Sequence, residues 1–572
     1  MDKQSKYRLA VSTLIEPLVN SWSAWSYLIS PVAASLYLMN YQTKTLRSYL
    51  KNPAYHVQAS HDPALVGGPF VDIPVDRADE VRDLLAMTEV RQRENIKLAR
   101  SIKEFHNWLV DEARGQSLEP LYERIPDILR GYVELVYDYY NRPTVRVFER
   151  LLYKSKYYDE SLQSLRISSF SRDNSRPFFM STPRLIDDGQ IDWKVAFSAP
   201  IIDELFRLDN EPQPLDYIRE VIGLPHTANK SLLPFLSEGP ASTPDRWREQ
   251  QARIRYFGHA CALIEWQNTS VLTDPFIGAV PTAGGIDRFT YQDLPRRIDY
   301  VLVTHGHNDH FVIEALLRVR HKTDCLVVPR SYGMLHGDVS LKLMAEQLGF
   351  KNVVELEAFE AVSFPGGQII AIPFLGEHAD LAHGKVGYVV RAGREQIMFG
   401  ADSNCLDKRV YQEVRNHLGP IQTVFLGTEC VGAPLTWVYG TMFLSPQEYN
   451  HNQERRLNGA DSKSALSILQ AVGASRVYNY AMGQEPWLEH IMALALSDDS
   501  PQIRESNKLL SEARAKGLEA AERLFGKAEI RLNSSPPCER NTTPLGAIQR
   551  PEHSAPKPTF PETNDVDDQF SF

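Results

Sequence analysis

The sequence lacks several features that mark common protein classes. Its five cysteines, spread over 572 residues, form no C-x-x-C pair, which argues against a zinc ribbon or a disulfide framework and fits a reducing, cytoplasmic setting. No block rich in lysine and arginine offsets the formal net charge of −10, so no nucleic-acid partner held through phosphate contacts is predicted. No flavin or nicotinamide fingerprint occurs either, so redox chemistry would need an external electron donor.

A stretch without charged residues, from Pro17 to Thr43, raises the question of a membrane span. Several serines, Pro31 and the flanking Asn20 and Asn40 would be costly in hydrocarbon. We therefore predict that this stretch is a buried core or a subunit interface, with no membrane partner. A homodimer through this aromatic-rich region is an open expectation.

Helical and irregular segments fill the first part of the chain. Apolar residues at helical spacing predict one or two amphipathic helices from Asp76 to about Arg114, and a further helix near Leu121 to Tyr140. Nine prolines then mark turns between residues 170 and 250. Upstream of Asp245 no motif carries chemistry of its own, so we expect the first 245 residues to shape substrate access or to dimerise.

Length and pattern together predict two folded domains and a tail, because 572 residues exceed what one hydrophobic core usually serves. We place a mixed α+β N-terminal domain at residues 1–245. Short strands alternate with helices beyond it, which predicts an α/β domain at 246–530. Residues 531–572 are rich in proline and poor in large apolar groups, which predicts a disordered tail.

The most informative motif is Thr304 to His310, with the sequence THGHNDH, which directly follows an apolar, strand-like run. In an extended backbone the H-x-H spacing lets two imidazoles project the same way, while the D-H pair reaches a second position a few ångströms away. One loop can therefore supply a ligand pair to each of two metal ions. The pairs are His305 with His307, and Asp309 with His310.

Further candidate ligands follow two later strands. Glu377 and His378 stand side by side at a strand end, and because adjacent residues on an extended backbone point to opposite sides, we expect one of the two to meet the first metal. With Glu377 the site would suit non-haem iron, and with His378 it would suit zinc. Asp402 follows the next strand, and its carboxylate could bridge two cations and offset their repulsion.

The THGHNDH motif is also the signature of the metallo-β-lactamase superfamily, and residues 253–500 resemble that fold, an αββα sandwich. The resemblance implies that Asp402 is the bridging aspartate and that Asp274 lies under the metal loop, where it can orient a ligand imidazole. His259 resembles a histidine that faces the cleft in lactonase-like members, although a purely structural role is an equal alternative.

Residues 15–525 resemble a narrower family, the diiron β-hydroxylases of amino-acid-derived natural products. Besides the metal motifs, the N-terminal segments NSWSAW, SHDP and GGPF carry this resemblance. It implies a monooxygenase that uses O2 and two iron ions, cycling between Fe2+ and Fe3+, to hydroxylate the β-carbon of an amino acid held as a thioester on a nonribosomal-peptide carrier domain. An electron-donor protein would be a second partner.

The resemblance also implies roles for the candidate residues. His305, His307 and Glu377 would hold one iron, Asp309 and His310 the other, and Asp402 would bridge them, with Glu377 and Asp402 as the catalytic carboxylates. The remaining ligand of the second iron stays open: His490 is the nearest histidine after the final predicted strand. Glu429 could face the cleft instead, and a structural role is an alternative for both.

A dizinc hydrolase acting on a thioester, lactone or phosphodiester is the alternative function, with a bridging hydroxide as nucleophile. The segments around His259 and Asp274 fit either chemistry. The residue that meets the first metal separates the two hypotheses, since Glu377 favours the oxygenase and His378 favours the hydrolase.

Overall fold

The computed structural model describes residues 5–225, 229–240, 243–331, 339–376, 384–532 and 547–548. The N-terminal part is built from short strands and helices. Its strands are β1 (Lys6–Leu9), β2 (Leu14–Val19), β3 (Trp22–Ser23), β4 (Val133–Tyr137), β5 (Pro143–Val147), β6 (Gln163–Ser168), β7 (Ile191–Lys194), β8 (Gln213–Pro214) and β9 (Leu236–Glu238). Its helices are α1 (Ser26–Ile29), α2 (Pro31–Tyr37), α3 (Thr43–Lys51), α4 (Pro53–Ser60), α5 (Ala78–Arg91), α6 (Arg93–Glu112), α7 (Glu149–Leu152), α8 (Ile201–Arg207), α9 (Leu215–Ile222) and α10 (Asn229–Leu232).

From Ala252 onward, the chain forms longer sheets with helices between the strands. The strands are β10 (Ala252–Gly258), β11 (Cys261–Trp266), β12 (Thr269–Thr273), β13 (Ile298–Leu302), β14 (Thr323–Pro329), β15 (Val353–Leu356), β16 (Ala361–Phe364), β17 (Gly367–Ile372), β18 (Gly387–Ala392), β19 (Glu395–Phe399), β20 (Thr423–Leu426), β21 (Arg476–Asn479), β22 (Ala520–Arg523), β23 (Ala528–Leu532) and β24 (Ala547–Ile548). The helices are α11 (Ile313–Arg320), α12 (Leu341–Gln347), α13 (Lys408–Leu418), α14 (Thr436–Tyr439), α15 (Tyr449–Glu454), α16 (Ser462–Val472), α17 (Glu489–Met492) and α18 (Pro501–Ala515).

The second part is an αββα sandwich, as expected. Over the described ranges, one sheet has the strand order β15-β14-β13-β12-β11-β10-β23 and the other β22-β21-β20-β19-β18-β17-β16-β24. Apolar side chains that alternate along the strands meet between the sheets, and Tyr256, Tyr300 and Phe399 are each at most 1% exposed there. Parallel pairing of β12, β13 and β14, and of β19, β20 and β21, brings several loops to one edge of the sandwich.

The N-terminal part packs on the sandwich and shares its core, because apolar residues of both parts belong to one continuous cluster. Buried ion pairs cross the boundary. On α11, Arg318 makes a bidentate pair with Asp209, with donor to acceptor distances of 2.8 and 2.7 Å. Arg176 bridges Glu16, at 3.1 Å, and Glu314 of α11, at 2.9 Å. The helix that follows the metal-ligand motif is therefore held by the N-terminal part.

Several predictions about the first part can be compared with the structure. The helices expected between Asp76 and Arg114 are confirmed as α5 and α6. The uncharged stretch is confirmed as core, since Trp22 and Trp25 are at most 3% exposed. Among the described residues, no helix combines the length and apolar character that a membrane span requires.

The helix predicted near Leu121 to Tyr140 is wrong. This segment holds a short 3-10 turn and then the hairpin of β4 and β5, in which Leu135 pairs with Val145. Alternating residues Val133 and Leu135 are buried, so the period is that of a strand. Tyrosines of this segment lie in and around the hairpin, and Tyr139 and Tyr140, at its tip, are exposed.

The start of the predicted tail also needs correction. Arg531 and Leu532 belong to β23, where they pair with Arg253 and Ala252 of β10. Apart from β24, which pairs with β16, the rest of the tail lies outside the described residues. The boundary at residue 245 remains a prediction.

Candidate metal centre

The predicted metal loop and the loops after neighbouring strands meet at one buried point. Strand β13 leads into the loop that carries His305 and His310, and β19 leads into Asp402. The Nε2 atom of His310 lies 3.0 Å from Oδ2 of Asp402, and that of His305 lies 3.5 Å from the same oxygen. All three residues are at most 1% exposed. Such a convergence of two imidazoles and a carboxylate could hold a metal ion.

A second group of possible ligands shares His310 with the first. His310 Nε2 lies 3.5 Å from Oδ2 of Asp309, and His259 Nε2 lies 3.2 Å from that oxygen. The ligand atoms of these three residues all lie within 4.8 Å of one another. The structure therefore brings five ionisable side chains together, and four of them were predicted as metal ligands: His305, Asp309, His310 and Asp402.

Asp274 orients the imidazole of His310. Its Oδ2 lies 2.9 Å from His310 Nδ1, and its two oxygens also accept hydrogen bonds from Thr304 N, at 2.7 Å, and Thr304 Oγ1, at 2.8 Å. A carboxylate can only accept from Nδ1–H, so the neutral ring presents the lone pair of Nε2 to the site. The expected role of Asp274 under the loop is confirmed by these contacts.

The surroundings of His310 Nε2 fit a metal ion. This buried atom has no hydrogen-bond partner among the described residues, because Asp402, although 3.0 Å away, lies outside the direction of a hydrogen bond. An acceptor lone pair beside a carboxylate that cannot donate to it would be costly unless a cation lay between the two groups. The donor set of imidazoles and carboxylates is one that iron uses.

The histidines of the H-x-H pair have partners of their own. Thr304 Oγ1 donates to Asp274, so it accepts from Nδ1–H of His305, 3.0 Å away, and His305 Nε2 faces Asp402. For His307, Nε2 lies 2.7 Å from the hydroxyl of Tyr439 on α14, and His307 belongs to neither described group of possible ligands. The ring centroids of His305 and His307 lie 4.6 Å apart.

His259 sits in a strained position that holds it against Asp309. His259 follows Gly258 in the chain. Its own φ is +50°, a left-handed conformation that is uncommon for a residue with a side chain. Its Nδ1 accepts a hydrogen bond from Gly483 N at 3.4 Å, so Nε2 carries the proton and donates to Asp309. This pattern favours a role in orienting Asp309 over direct ligation.

Burial and opposite charges shift the pKa values of the central pair. Burial alone would lower the pKa of His310, but the surrounding carboxylates, led by Asp402, raise it well above its ordinary value. Burial alone would raise the pKa of Asp309, but His310 and then His259 lower it below its ordinary range. Both shifts come from the attraction between the imidazole and the neighbouring carboxylates, and a metal ion can bind His310 through Nε2 only when that nitrogen carries no proton.

The remaining predicted site residues are placed differently. Glu377 and His378 lie outside the described residues, so which of the two faces the first metal stays a prediction. His490 is buried near Phe276, Glu16 and Arg176, and it is not part of either described group of possible ligands. Burial is the main reason that the pKa of His490 lies well below its ordinary value.

A cavity of about 370 Å³ opens beside the metal loop. Its wall includes His307 and Asp309 from the loop, Glu429, the α14 residue Trp437, and Gly67 from the N-terminal part. The indole Nε1 of Trp437 donates to Gly67 O at 2.9 Å, which closes the wall between the two parts of the chain. A cavity of this size can take an amino-acid side chain.

Sequence reasoning missed Tyr439 and Trp437, which reach the site from a helix far along the chain. The segment GAPLTWVYG carries no motif of its own, and only its density of aromatic residues beside glycines could have drawn attention to it. Gly67 was noticed only as part of the GGPF segment that carries the family resemblance.

Comparisons with known proteins show which families the two parts of the chain match. A family described as the diiron non-heme beta-hydroxylase N-terminal domain matches residues 8–240, and one described as a beta-lactamase superfamily domain matches residues 253–396. The 4-amino-L-phenylalanyl-[CmlP-peptidyl-carrier-protein] 3-hydroxylase of Streptomyces venezuelae is 33% identical over 535 residues, which cover 92% of this chain and 100% of that protein.

Two further comparisons concern a solved structure of the same fold and a hydrolase that matches part of the chain. The crystal structure of CmlA, a diiron β-hydroxylase from Streptomyces venezuelae, superposes with a TM-score of 0.86 at 32% identity and covers 93% of this chain and 100% of that chain. A metal-dependent hydrolase of Flavobacterium johnsoniae is 28% identical over 146 residues, which cover 23% of this chain and 59% of that protein. The similarity to the hydroxylase thus runs through both domains, and the chain belongs to the family of non-haem diiron β-hydroxylases.

Proposed function

We propose that this enzyme hydroxylates the β-carbon of an amino acid held as a thioester on a nonribosomal-peptide carrier domain. The observation that carries the proposal is the buried imidazole and carboxylate site with a cavity beside it, in a chain similar over its whole folded length to a hydroxylase of a carrier-bound amino acid. The carrier is the partner, and a cytoplasmic location and a homodimer remain predictions.

The ligand set follows from the side-chain arrangement and the family. We assign His305, His307 and Glu377 to the first iron, with His378 as the alternative to Glu377. Asp309 and His310 would hold the second iron, and Asp402 would bridge the two. Iron bound here would supply the redox chemistry that inserts one oxygen atom of O2 into a C–H bond.

The residues of the chain itself hold the geometry. Asp274 and Thr304 fix which imidazole nitrogens face the site, and Tyr439 does the same for His307. His259 holds Asp309.

The electrons must come from outside the polypeptide. Hydroxylation of a C–H bond by O2, with the second oxygen atom released as water, consumes two electrons and two protons beyond those of the substrate. The sequence carries no flavin or nicotinamide fingerprint, so we propose an external electron-donor protein.

The hydrolase alternative is less well supported. Its support was the metallo-β-lactamase-like half, but the hydrolase match covers 23% of the chain, whereas the hydroxylase match includes the N-terminal part, which also lines the cavity through Gly67. A dizinc hydrolase would need neither O2 nor electrons.

The first test is metal analysis after expression with iron and zinc both available. We expect about two irons per chain and an oxygen-dependent change of the optical spectrum when the reduced protein meets O2. Loss of iron is expected in D402N, while the exposed control D499N should keep it. Two zinc ions without an optical response would overturn the oxygenase assignment.

The second test identifies the substrate. A free-standing carrier domain is loaded with each proteinogenic amino acid in turn and incubated with the reduced enzyme and O2. A mass gain of one oxygen atom on the carrier arm supports the proposal, and 18O2 should supply the label. Release of the amino acid without oxidation would instead favour thioester hydrolysis.

A further inference from the structure

Glu429 lies close to the metal centre, although it was not predicted as a ligand. Strands β19 and β20 are parallel neighbours, and the loops after them carry Asp402 and Glu429 at the same edge of the sheet. The two backbones flank one glycine: a Cβ added at Gly459 would lie 3.2 Å from Glu429 O and 3.4 Å from Asp402 O. Glu429 is 8% exposed and lines the cavity together with His307 and Asp309.

The rest of the cavity wall offers little that could bind a positively charged group. Most lining residues are apolar or glycine. Arg456 lines the cavity and uses its Nε to donate to Gly432 O at 2.9 Å, and Gln502 donates to Val431 O at 3.1 Å. Apart from Asp309, which we assign to the second iron, Glu429 is the acidic residue of this described lining.

A carboxylate that lines a mostly apolar cavity can bind a cationic ligand group through a charge-assisted hydrogen bond. An aminoacyl thioester carries one such group, the α-ammonium. This ammonium is attached to the carbon next to the β-carbon. Fixing it therefore restricts which C–H bond can face His307 and Asp309.

We propose that Glu429 is a positioning residue that binds the α-ammonium of the carrier-bound aminoacyl group. The inference rests on the proposed function and deepens it, because it names the part of the substrate that the enzyme recognises irrespective of the side chain. An acyl group without the amine would enter the cavity with lower affinity and without a fixed orientation.

A general role in proton transfer predicts a different pattern. A carboxyl group that only delivers protons would affect aminoacyl and acyl substrates alike. An ammonium anchor affects the amine-bearing form alone. The amine dependence of binding therefore separates the two roles without requiring turnover.

The test uses the iron-loaded protein without O2 and pairs of stable amide analogues of the thioester. The pairs are L-phenylalanyl and 3-phenylpropionyl pantetheine amide, and L-alanyl and propionyl pantetheine amide. Binding is followed by calorimetry and by intrinsic tryptophan fluorescence, to which Trp437 in the cavity wall contributes. We expect the wild-type enzyme to bind the amine form of at least one pair about tenfold more tightly, the size of a charge-assisted hydrogen bond.

The variants E429Q and E454Q are compared, since Glu454 is an exposed carboxylate of α15. E429Q should lose the amine preference and keep its affinity for the acyl probes, whereas E454Q should keep both. E429D, which retains the charge, should keep part of the preference. Circular dichroism and thermal unfolding check that each variant is folded.

Equal wild-type affinity for both members of each pair would overturn the inference, as would an amine preference that survives in E429Q or a failure of all probes to bind. These outcomes are separable from failure of the proposed function. If the enzyme hydroxylates a loaded carrier but shows no amine preference for the probes, only the proposed role of Glu429 is wrong. If the probes show an amine preference that depends on Glu429 but no carrier is hydroxylated, the binding role of Glu429 is supported and the proposed reaction is wrong.

Discussion

Replacing Asp274 by asparagine should weaken metal binding at the position of His310. The Asp274 carboxylate is fully buried and accepts three hydrogen bonds, from His310 Nδ1 at 2.9 Å and from the nitrogen and hydroxyl of Thr304 at 2.7 and 2.8 Å. Asparagine has one acceptor oxygen in place of two. If its amide nitrogen faces His310, the ring must move its proton to Nε2, the atom that should bind the metal.

The magnitude follows from the bond that is lost. A hydrogen bond between an imidazole and a buried carboxylate contributes about 1.5–3 kcal/mol, and each 1.4 kcal/mol corresponds to about a tenfold change in affinity. Loss of such an orienting partner typically costs about 10-fold to 100-fold in metal affinity. We therefore expect the affinity of D274N for the metal ion at His310 to fall by about 10-fold to 100-fold.

Competition with a chromophoric chelator measures this affinity, with Fe2+ added to metal-free protein under anaerobic conditions. D299N is a matched control, because Asp299 is also a buried acceptor on the sandwich, and its described partners Ser270, Arg246 and Arg297 are not proposed ligands. D299N should lose stability but keep both metals. Wild-type affinity in D274N, or equal loss in D299N, would refute the assignment of Asp274 to His310.

Three further predictions concern other contacts. H259A should lower the affinity for the second metal while H259Q, whose amide N–H can still donate to Asp309, keeps it within about threefold; equal loss in both would show that His259 is a ligand. Y439F should lower the affinity for the first metal by about tenfold in the same chelator competition, because His307 loses its hydrogen bond to the Tyr439 hydroxyl at 2.7 Å; an unchanged value would contradict the role of Tyr439 in orienting His307. Burial lowers the pKa of Lys322 to about 8 from 10.5, so the unfolded chain binds more protons between these pH values and wild-type stability should rise from pH 7 to pH 10, relative to K322M, by up to about 3 kcal/mol in urea unfolding; parallel curves for the two proteins would exclude the shift.

The metal loop was predictable from sequence because its ligands are close together in the chain. A strand followed by H-x-H-x-D-H fixes the local geometry within one loop, and the structure places His305, Asp309 and His310 together as expected. Asp402 was predictable through the strand that precedes it. Such local patterns are predictable because backbone periodicity decides which side chains of one segment point the same way.

Partners that come from distant segments were not predictable in the same way. Tyr439 meets His307 across 132 positions of sequence, and nothing in the spacing of either residue encodes the contact. The sequence identified His259 as a residue that could face the cleft, but it did not predict the hydrogen bond to Asp309. The choice between ligand and orienting partner depends on Gly483 N, which reaches Nδ1 from a loop 224 residues away.

The failed helix near Leu121 shows a second limit. Tyrosine and valine have high strand propensity, but their spacing in this segment also allows a helical interpretation. The hairpin forms because Leu135 and Val145 can bury their side chains against the N-terminal core, an interaction that is decided by packing and not by the segment alone.

The N-terminal domain is best understood as a structural part of the metal centre as well as a wall of the cavity. Ser26 Oγ of α1 donates to the carbonyl of Gly306, between the two histidines of the H-x-H pair, at 2.8 Å. Arg176 then anchors Glu314 on the helix that follows the loop. Because the loop and the helix after it are both held by residues from the first 245 positions, removing those residues would free the loop that carries the four proposed ligands. This dependence gives a physical reason for the two domains to occur together in the family, since a metallo-β-lactamase-like sandwich without its N-terminal partner would lack both the support of the loop and the Gly67 side of the cavity.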